Sequence, residues 1–320
     1  MTDAVIAWVD GDDPNHRRKR NAFLGNHEDT FEDIAGTTRY RSTGEIFFCI
    51  ASILRFAPWM HKIYIVTDAQ NPHVEEFVQR NFPGNTIPIE IVDHKVLFRG
   101  YEKYLPTFNS LAIATMLWRI PGLCDRFVYF NDDVFLTRPI SEEEWFDGDI
   151  TLCRATRWST LSASLARTFR PRKKGHKPFG HKDAMLNTAR LLKKRHFWLF
   201  PHAPLAMRSE WFSRFYAEHP DLLDHNIRHR FRNASQFSSP NMFYLSAEKD
   251  GTCRFLPGKD VAVFIKSSKG KKDYMKRKLH EADNNPHLMF GCVNSLEKTT
   301  PDEQAMFRHW MEQKLNVTFE

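Results

Sequence analysis

Along the first half of the chain, short apolar runs alternate with stretches whose apolar residues recur every three or four positions. The run at residues 4–9 stops at Asp10-Gly11-Asp12-Asp13-Pro14, the pattern of a buried strand that delivers acids into a turn. Residues 62–68 close on Asp68, residues 87–92 are followed by Asp93, and residues 126–130 lead into Asn131-Asp132-Asp133. Between these runs, Ile46, Phe47, Ile50, Ile53 and Leu54 keep helical spacing until Pro58. Residues 73–81 also read as helix, and 109–119 as a strong one ended by Pro121-Gly122, whereas 15–38 read as polar and irregular. Strands and helices in this alternation predict βαβ units and a mainly parallel sheet. Such sheets bind ligands beyond the carboxyl ends of their strands, which is where all four acid-bearing turns fall.

The pattern loosens later. Ser141-Glu142-Glu143-Glu144 has the form of a capping box that opens a helix. Residues 150–182 carry nine Lys or Arg and no acid, with Pro171, Gly175 and Pro178 marking a loop inside the run. Helical spacing returns near 183–195, 209–217 and 301–315, and strand-like runs fall at 204–207 and 261–265. The expected organisation is an α/β core over 1–150 and a basic, mainly helical region over 151–320 that does not fold by itself.

Composition narrows the chemistry. A chain of 320 residues with 42% hydrophobic content can build a large core. Lys and Arg outnumber acids 46 to 39, which points to anionic partners: phosphates foremost, with nucleic acid or a membrane surface also compatible. The five cysteines are scattered and form no CxxC pair, so reduced thiols are expected. The N-terminus does not read as a secretory leader, and no apolar stretch is long enough to span a membrane, so the expected location is the cytoplasm. There is no GxGxxG, GxxxxGK or GxSxG, which argues against a dinucleotide fold, a P-loop and a serine hydrolase.

Asp132 and Asp133 end an apolar strand, as carboxylates do that hold Mg²⁺ or Mn²⁺ against a diphosphate. Adjacent strand residues face opposite ways, so both reach one ion only if the chain has already left the sheet. His202, between two prolines, suits a general base, and Arg208 a phosphate clamp. Structural roles compete with each: an acid can fix a turn, and one histidine among 15 is usually a hydrogen-bonded core residue. The basic run 266–278 reads as a polyanion-binding loop or as ordinary solvated surface.

Four blocks in order resemble the Stealth family of capsular polysaccharide phosphotransferases, which also includes the lysosomal-enzyme N-acetylglucosamine-1-phosphotransferase. They are AWVDGDDP at 7–14; a long block from Arg39-Tyr40-Arg41-Ser42-Thr43-Gly44-Glu45 through 57–72 to 105–135; His202-Ala203-Pro204 with Arg208; and FGCVNS at 290–295, with Thr318-Phe319-Glu320 as a matching end. The resemblance implies a Rossmann-like, GT-A-like α/β fold with a mainly parallel sheet and additional helices. It implies transfer of a hexose- or hexosamine-1-phosphate from a UDP-sugar to a hydroxyl of an anionic glycan, with UMP released and no nucleic acid involved. Contact with the cytoplasmic membrane or with capsule-assembly machinery is compatible with that role. Carried over by position, Asp10, Gly11 and Asp12 lie at the donor, and Arg39, Glu45, Asn109 and Asn294 line its pocket. Asp132 and Asp133 hold the divalent cation or move a proton, and His202 and Arg208 act at the phosphate. One departure stands out: Ser295 follows Asn294 where the family usually has an acid. Two other readings remain open at this point, a metal-dependent glycosyltransferase that releases UDP and a non-catalytic polyanion binder.

Overall fold

The computed structural model describes residues 1–24, 44–171, 179–266, 272–294 and 296–319. Its strands are β1 (Thr2–Ala7), β2 (Ile63–Thr67), β3 (Ile89–Asp93), β4 (Arg126–Asn131), β5 (Val134–Leu136), β6 (Phe146–Asp147), β7 (Ile150–Ser159), β8 (His196–Leu199), β9 (Leu205–Arg208), β10 (Cys253–Pro257), β11 (Ala262–Ile265) and β12 (Phe290–Val293). The central sheet has the order β3-β2-β1-β4-β9. Its first four strands are parallel and β9 runs antiparallel along β4, so the mainly parallel α/β core read from the alternation is present.

A parallel sheet must be covered on both faces, and the alternation along each strand divides the core accordingly. Ala4, Ile6, Ile63, Ile65, Val128 and Phe130 belong to one core, with helices Glu45–Phe56 and Pro301–Leu315. Val5, Tyr64, Val66, Phe127 and Tyr129 belong to the other, with helices Ser110–Met116, His181–Leu191 and Ser239–Lys249. Each large side chain buried in this way contributes about 1.5–3 kcal/mol. Ten of the twelve residues of Glu45–Phe56 are buried, so this helix is wedged inside the protein rather than laid on it. Gly44 before it takes φ 90°, a left-handed turn that costs glycine little and that starts the helix at Glu45.

Two smaller sheets extend the core. One has the order β10-β7-β6, with β8 also paired to β7; the other has the order β11-β12-β5. Gly291 of β12 lies against the ring of Phe135, where a Cβ would come within 2.2 Å of a ring carbon. Only glycine lets β12 pair with β5 at this point. Among the described residues no helix is long and apolar enough to cross a membrane, and all five cysteines are free thiols.

Several expectations give way to the structure. Residues 14–24 form a helix, Pro14–Leu24, which was read as irregular because its buried residues are His16 and Arg20 and it has no apolar stripe. The capping box at Ser141 opens a single 3-10 turn, Glu142–Glu144, in which Ser141 caps nothing. The turn stops because Trp145 is drawn into the core. The basic run 150–182 opens as β7 and helix Thr160–Thr168, where the pattern predicts no element; the loop read around Pro171, Gly175 and Pro178 falls on 172–178, outside the described residues. The helix read at 183–195 is His181–Leu191, and the later half of the 266–278 run opens helix Tyr274–Asn284.

Candidate active site

β4 ends at Asn131 and β5 begins at Val134, so Asp132 and Asp133 occupy a two-residue turn between sheets. The chain has left the pleat, which removes the alternation that would send neighbouring side chains to opposite faces. β12 holds this turn in place. The Val293 N–H donates to the Asp133 carbonyl at 2.9 Å, and the Cys292 thiol and Asn294 Nδ2 each lie 3.4 Å from Asp133 Oδ2. Asn294 is thus brought to the site, while Ser295 lies outside the described residues.

The electrostatics mark the turn as a carboxylate cluster. Burial pushes the Asp132 carboxyl well above the usual range, and the neighbouring charges of Asp133 and the buried Glu45 push it further. Asp133 is also raised by burial, though the Cys292 and Asn294 hydrogen bonds and the nearby His202 draw it partly back. Carboxylate oxygens are what a hard divalent cation takes, and a cation here would relieve the repulsion on Asp132; among the described residues, Asp132, Asp133 and Glu45 do not bring three ligand atoms within 4.8 Å of one another. His202 is exposed, with its ring stacked on Phe264 at 4.6 Å between centroids.

Two residues at this site carried no signal in the sequence. His181 keeps surface in solvent, yet protein atoms crowd its ring and, with Arg232 and His202 nearby, hold its pKa down to about 4. Arg232 donates to Ser110 Oγ at 2.7 Å, and its charge also reaches Tyr129. Neither sits in a motif, and only the fold brings them near residue 132.

The acidic turn after β1 lines a separate hollow of about 520 Å³ at the same sheet edge, walled by Asp10, Asp13, Arg18, Lys19, Asp68 and Gln70. Asp10 and Gln70 exchange hydrogen bonds, backbone N–H to Oε1 at 2.9 Å and Nε2 to the Asp10 carbonyl at 2.8 Å, which join the exits of β1 and β2. The Asp10 carboxylate accepts from the Asp12 N–H at 2.9 Å, which shapes the turn containing Gly11. Lys19 pairs with Asp68 at 3.1 Å. A larger hollow of about 920 Å³ beside Trp59, Arg138 and Met289 includes none of the expected site residues.

Two expected residues stand elsewhere. Asn109 is fully buried and spends its amide inside the protein: Oδ1 caps the helix at the Leu111 N–H, and Nδ2 faces the His229 carbonyl at 2.9 Å, the Phe231 carbonyl at 3.0 Å and Gln236 Oε1 at 2.9 Å. It fixes the loop that bears Arg232 instead of presenting its amide to a ligand. Arg208 lies opposite Arg126, at the entrance of β4 rather than its exit, about 20 Å along the strand from Asp132. Its Nε donates to Asp125 Oδ2 at 2.5 Å, and Asp125 also accepts the Glu210 N–H at 2.9 Å. Arg208→Gln should therefore leave kcat within about threefold while lowering stability by about 1 kcal/mol, as read by urea unfolding. Arg39 lies outside the described residues. At that same entrance edge, Asp3, His61 and Cys124 place three ligand atoms within 4.8 Å of one another. The buried Asp3 carboxylate meets His61 Nδ1 at 2.8 Å and the Cys124 N–H at 2.7 Å, a clasp on the starts of three strands.

Comparison with known families puts this site in context. Residues 3–28 match Stealth protein CR1, conserved region 1, and residues 39–153 match Stealth protein CR2, conserved region 2. The chain carries both of these Stealth conserved regions. A capsular polysaccharide phosphotransferase of Neisseria meningitidis is 28% identical over 91% of this chain and 76% of its own length. Two exopolysaccharide phosphotransferases of Streptomyces coelicolor are 31% and 30% identical over 76% and 95% of this chain. The chain spans 39% and 53% of those two relatives' length. Among solved structures, the bifunctional glycosyltransferase WbbM aligns over 99% of this chain and 50% of its own, with TM-score 0.50 and 10% identity, a likeness of fold alone. The fold is GT-A-like. The Stealth conserved regions supply Asp10, Glu45, Asn109, Asp132 and Asp133; His181, His202, Arg232 and Asn294 reach the same sheet edge from outside them.

Proposed function

We propose that this chain is a hexose-1-phosphate transferase that moves sugar-1-phosphate from a UDP-sugar to a glycan hydroxyl, builds a phosphodiester-linked capsular or cell-surface polysaccharide, and releases UMP. The observation that carries the reading is the two-carboxylate turn Asp132-Asp133, crowded by Glu45 at the head of its helix and set beside His202 and Asn294. The relatives' names as polysaccharide phosphotransferases support it.

In this reading the hollow at Asp10 takes the nucleotide, with Arg18 offering a cation and Asp10, Asp13 and Asp68 offering acceptors. Asp132 and Asp133 would hold Mg²⁺ or Mn²⁺, which when bound neutralises charge on the diphosphate. The acceptor hydroxyl attacks the sugar-linked phosphorus in line; its oxygen bonds to that phosphorus, the bond to the bridging oxygen breaks, and UMP leaves with the electron pair. The imidazole of His202 takes the hydroxyl proton. Arg232 adds positive charge where it develops, and Asn294 keeps Asp133 oriented. Residues 1–150 act as the donor core and 151–320 complete the acceptor side.

The test is to incubate purified protein with a UDP-sugar panel, Mg²⁺ or Mn²⁺ and a glycan primer, and to identify the released nucleotide. UMP in step with primer extension is the expected result. UDP would show cleavage at the anomeric carbon and overturn the proposal in favour of a glycosyltransferase, and no turnover with any donor would remove the enzyme reading.

A further inference from the structure

Helix Thr160–Thr168 turns its apolar side outward. Leu161, Leu165 and Phe169 follow one another at four-residue spacing and are 71%, 51% and 81% exposed, while Ala163 is the helix's buried side chain. The inner side is tied to helix His181–Leu191 by Arg190 Nη2 to Ser164 Oγ at 2.9 Å and Arg167 Nη1 to Asn187 Oδ1 at 3.2 Å. Trp158 and Leu191, both partly exposed, stand on the neighbouring elements. An apolar ridge of this size in water marks an interaction surface.

The surrounding charge selects the occupant. Residues 156–171 and 179–195 carry eight Lys or Arg against one acid, Asp183. That acid is buried and already paired, at 2.8 Å to Arg170 and 3.7 Å to Arg167. Lys193 and Arg195 are exposed at the end of the same helical pair, and the Lys182 ammonium lies 3.2 Å above the centre of the Trp158 ring. A soluble polyanion would engage the cations and leave Leu161, Leu165 and Phe169 in water, and a second copy of the chain would meet like charge. An anionic bilayer satisfies both components, because its acyl boundary takes the Leu and Phe side chains and its headgroup phosphates take the Lys and Arg.

We propose that this face docks the protein onto an anionic lipid surface. Its supporting helix begins at His181, so docking turns the acceptor side toward the membrane, where a lipid-held acceptor glycan would be presented. The orientation rests on the transferase reading; the docking does not, and it is tested without turnover.

The experiment is co-flotation with vesicles of phosphatidylcholine, with and without phosphatidylglycerol, at low and high salt. The protein should float only with the anionic vesicles and bind at least about tenfold more weakly at high salt. The variant Leu161→Ser/Leu165→Ser/Phe169→Ser should lose at least about tenfold in vesicle affinity while keeping its circular dichroism and its binding to soluble polyphosphate. Lys193→Glu/Lys194→Glu should weaken the anionic-vesicle interaction alone. Failure of the parent protein to float overturns the proposal. So does undiminished flotation of the serine variant, which would show that Leu161, Leu165 and Phe169 do not enter the bilayer.

Discussion

Asp132→Asn should lower kcat for sugar-1-phosphate transfer at least a hundredfold, about 3 kcal/mol of transition-state stabilisation, and leave the fold intact. Asparagine keeps the shape of the side chain and removes its charge, so the loss reads the carboxylate and not the packing. The same substitution should raise the thermal midpoint of the metal-free protein. Asp132 is crowded by Asp133 and Glu45, and the neutral isostere removes one of three repelling charges. A site that is stabilised when it is disabled trades stability for chemistry. Turnover within a few-fold of the parent would take Asp132 out of the mechanism, and a fall in midpoint would show that its charge is already compensated.

Asn109→Ala should cost about 2–4 kcal/mol in urea unfolding, because it strips partners from the part-buried His229 and Phe231 carbonyls, the buried Gln236 side chain and the Leu111 N–H. Asn109→Asp separates the two jobs of this side chain. The carboxylate still accepts from Leu111 but presents oxygen to two carbonyls, so it should rescue the helix cap and not the loop. Both variants should lower kcat about tenfold or more through displacement of Arg232, with KM for the donor little changed. Arg232→Gln should then add little further loss on the Asn109→Ala background. Independent, multiplying losses would show that the loop is placed by something else.

The N-terminal half was legible because its strands are buried on both faces and end on acids, a pattern that composition cannot imitate. The periodicity found β1 to β4, and it found helix Glu45–Phe56 within two residues. Asp132 and Asp133 could be named as a pair, but whether both could face one ion depended on where β4 stops, which propensity does not set. Arg208 was misplaced for a related reason. His202 and Arg208 are close in sequence, yet the four residues of β9 carry one from the exit of the sheet to its entrance. Asn109 was read as pocket lining although it is the cap of the helix that begins after it, a role its position before an apolar run already suggests. His181 and Arg232 were invisible because they owe their place to tertiary packing alone, and the helix at 160–168 was hidden by the charge of the run around it.

The grip of β12 on Asp133 spans about half the chain: Val293 N–H, Cys292 and Asn294 fasten a turn whose own strand was completed some 160 residues earlier. During synthesis that turn waits for its fastening until the closing strand arrives. Whatever binds the acids of the fastened turn therefore binds the finished molecule, and each ligand that prefers this state makes the whole chain harder to unravel.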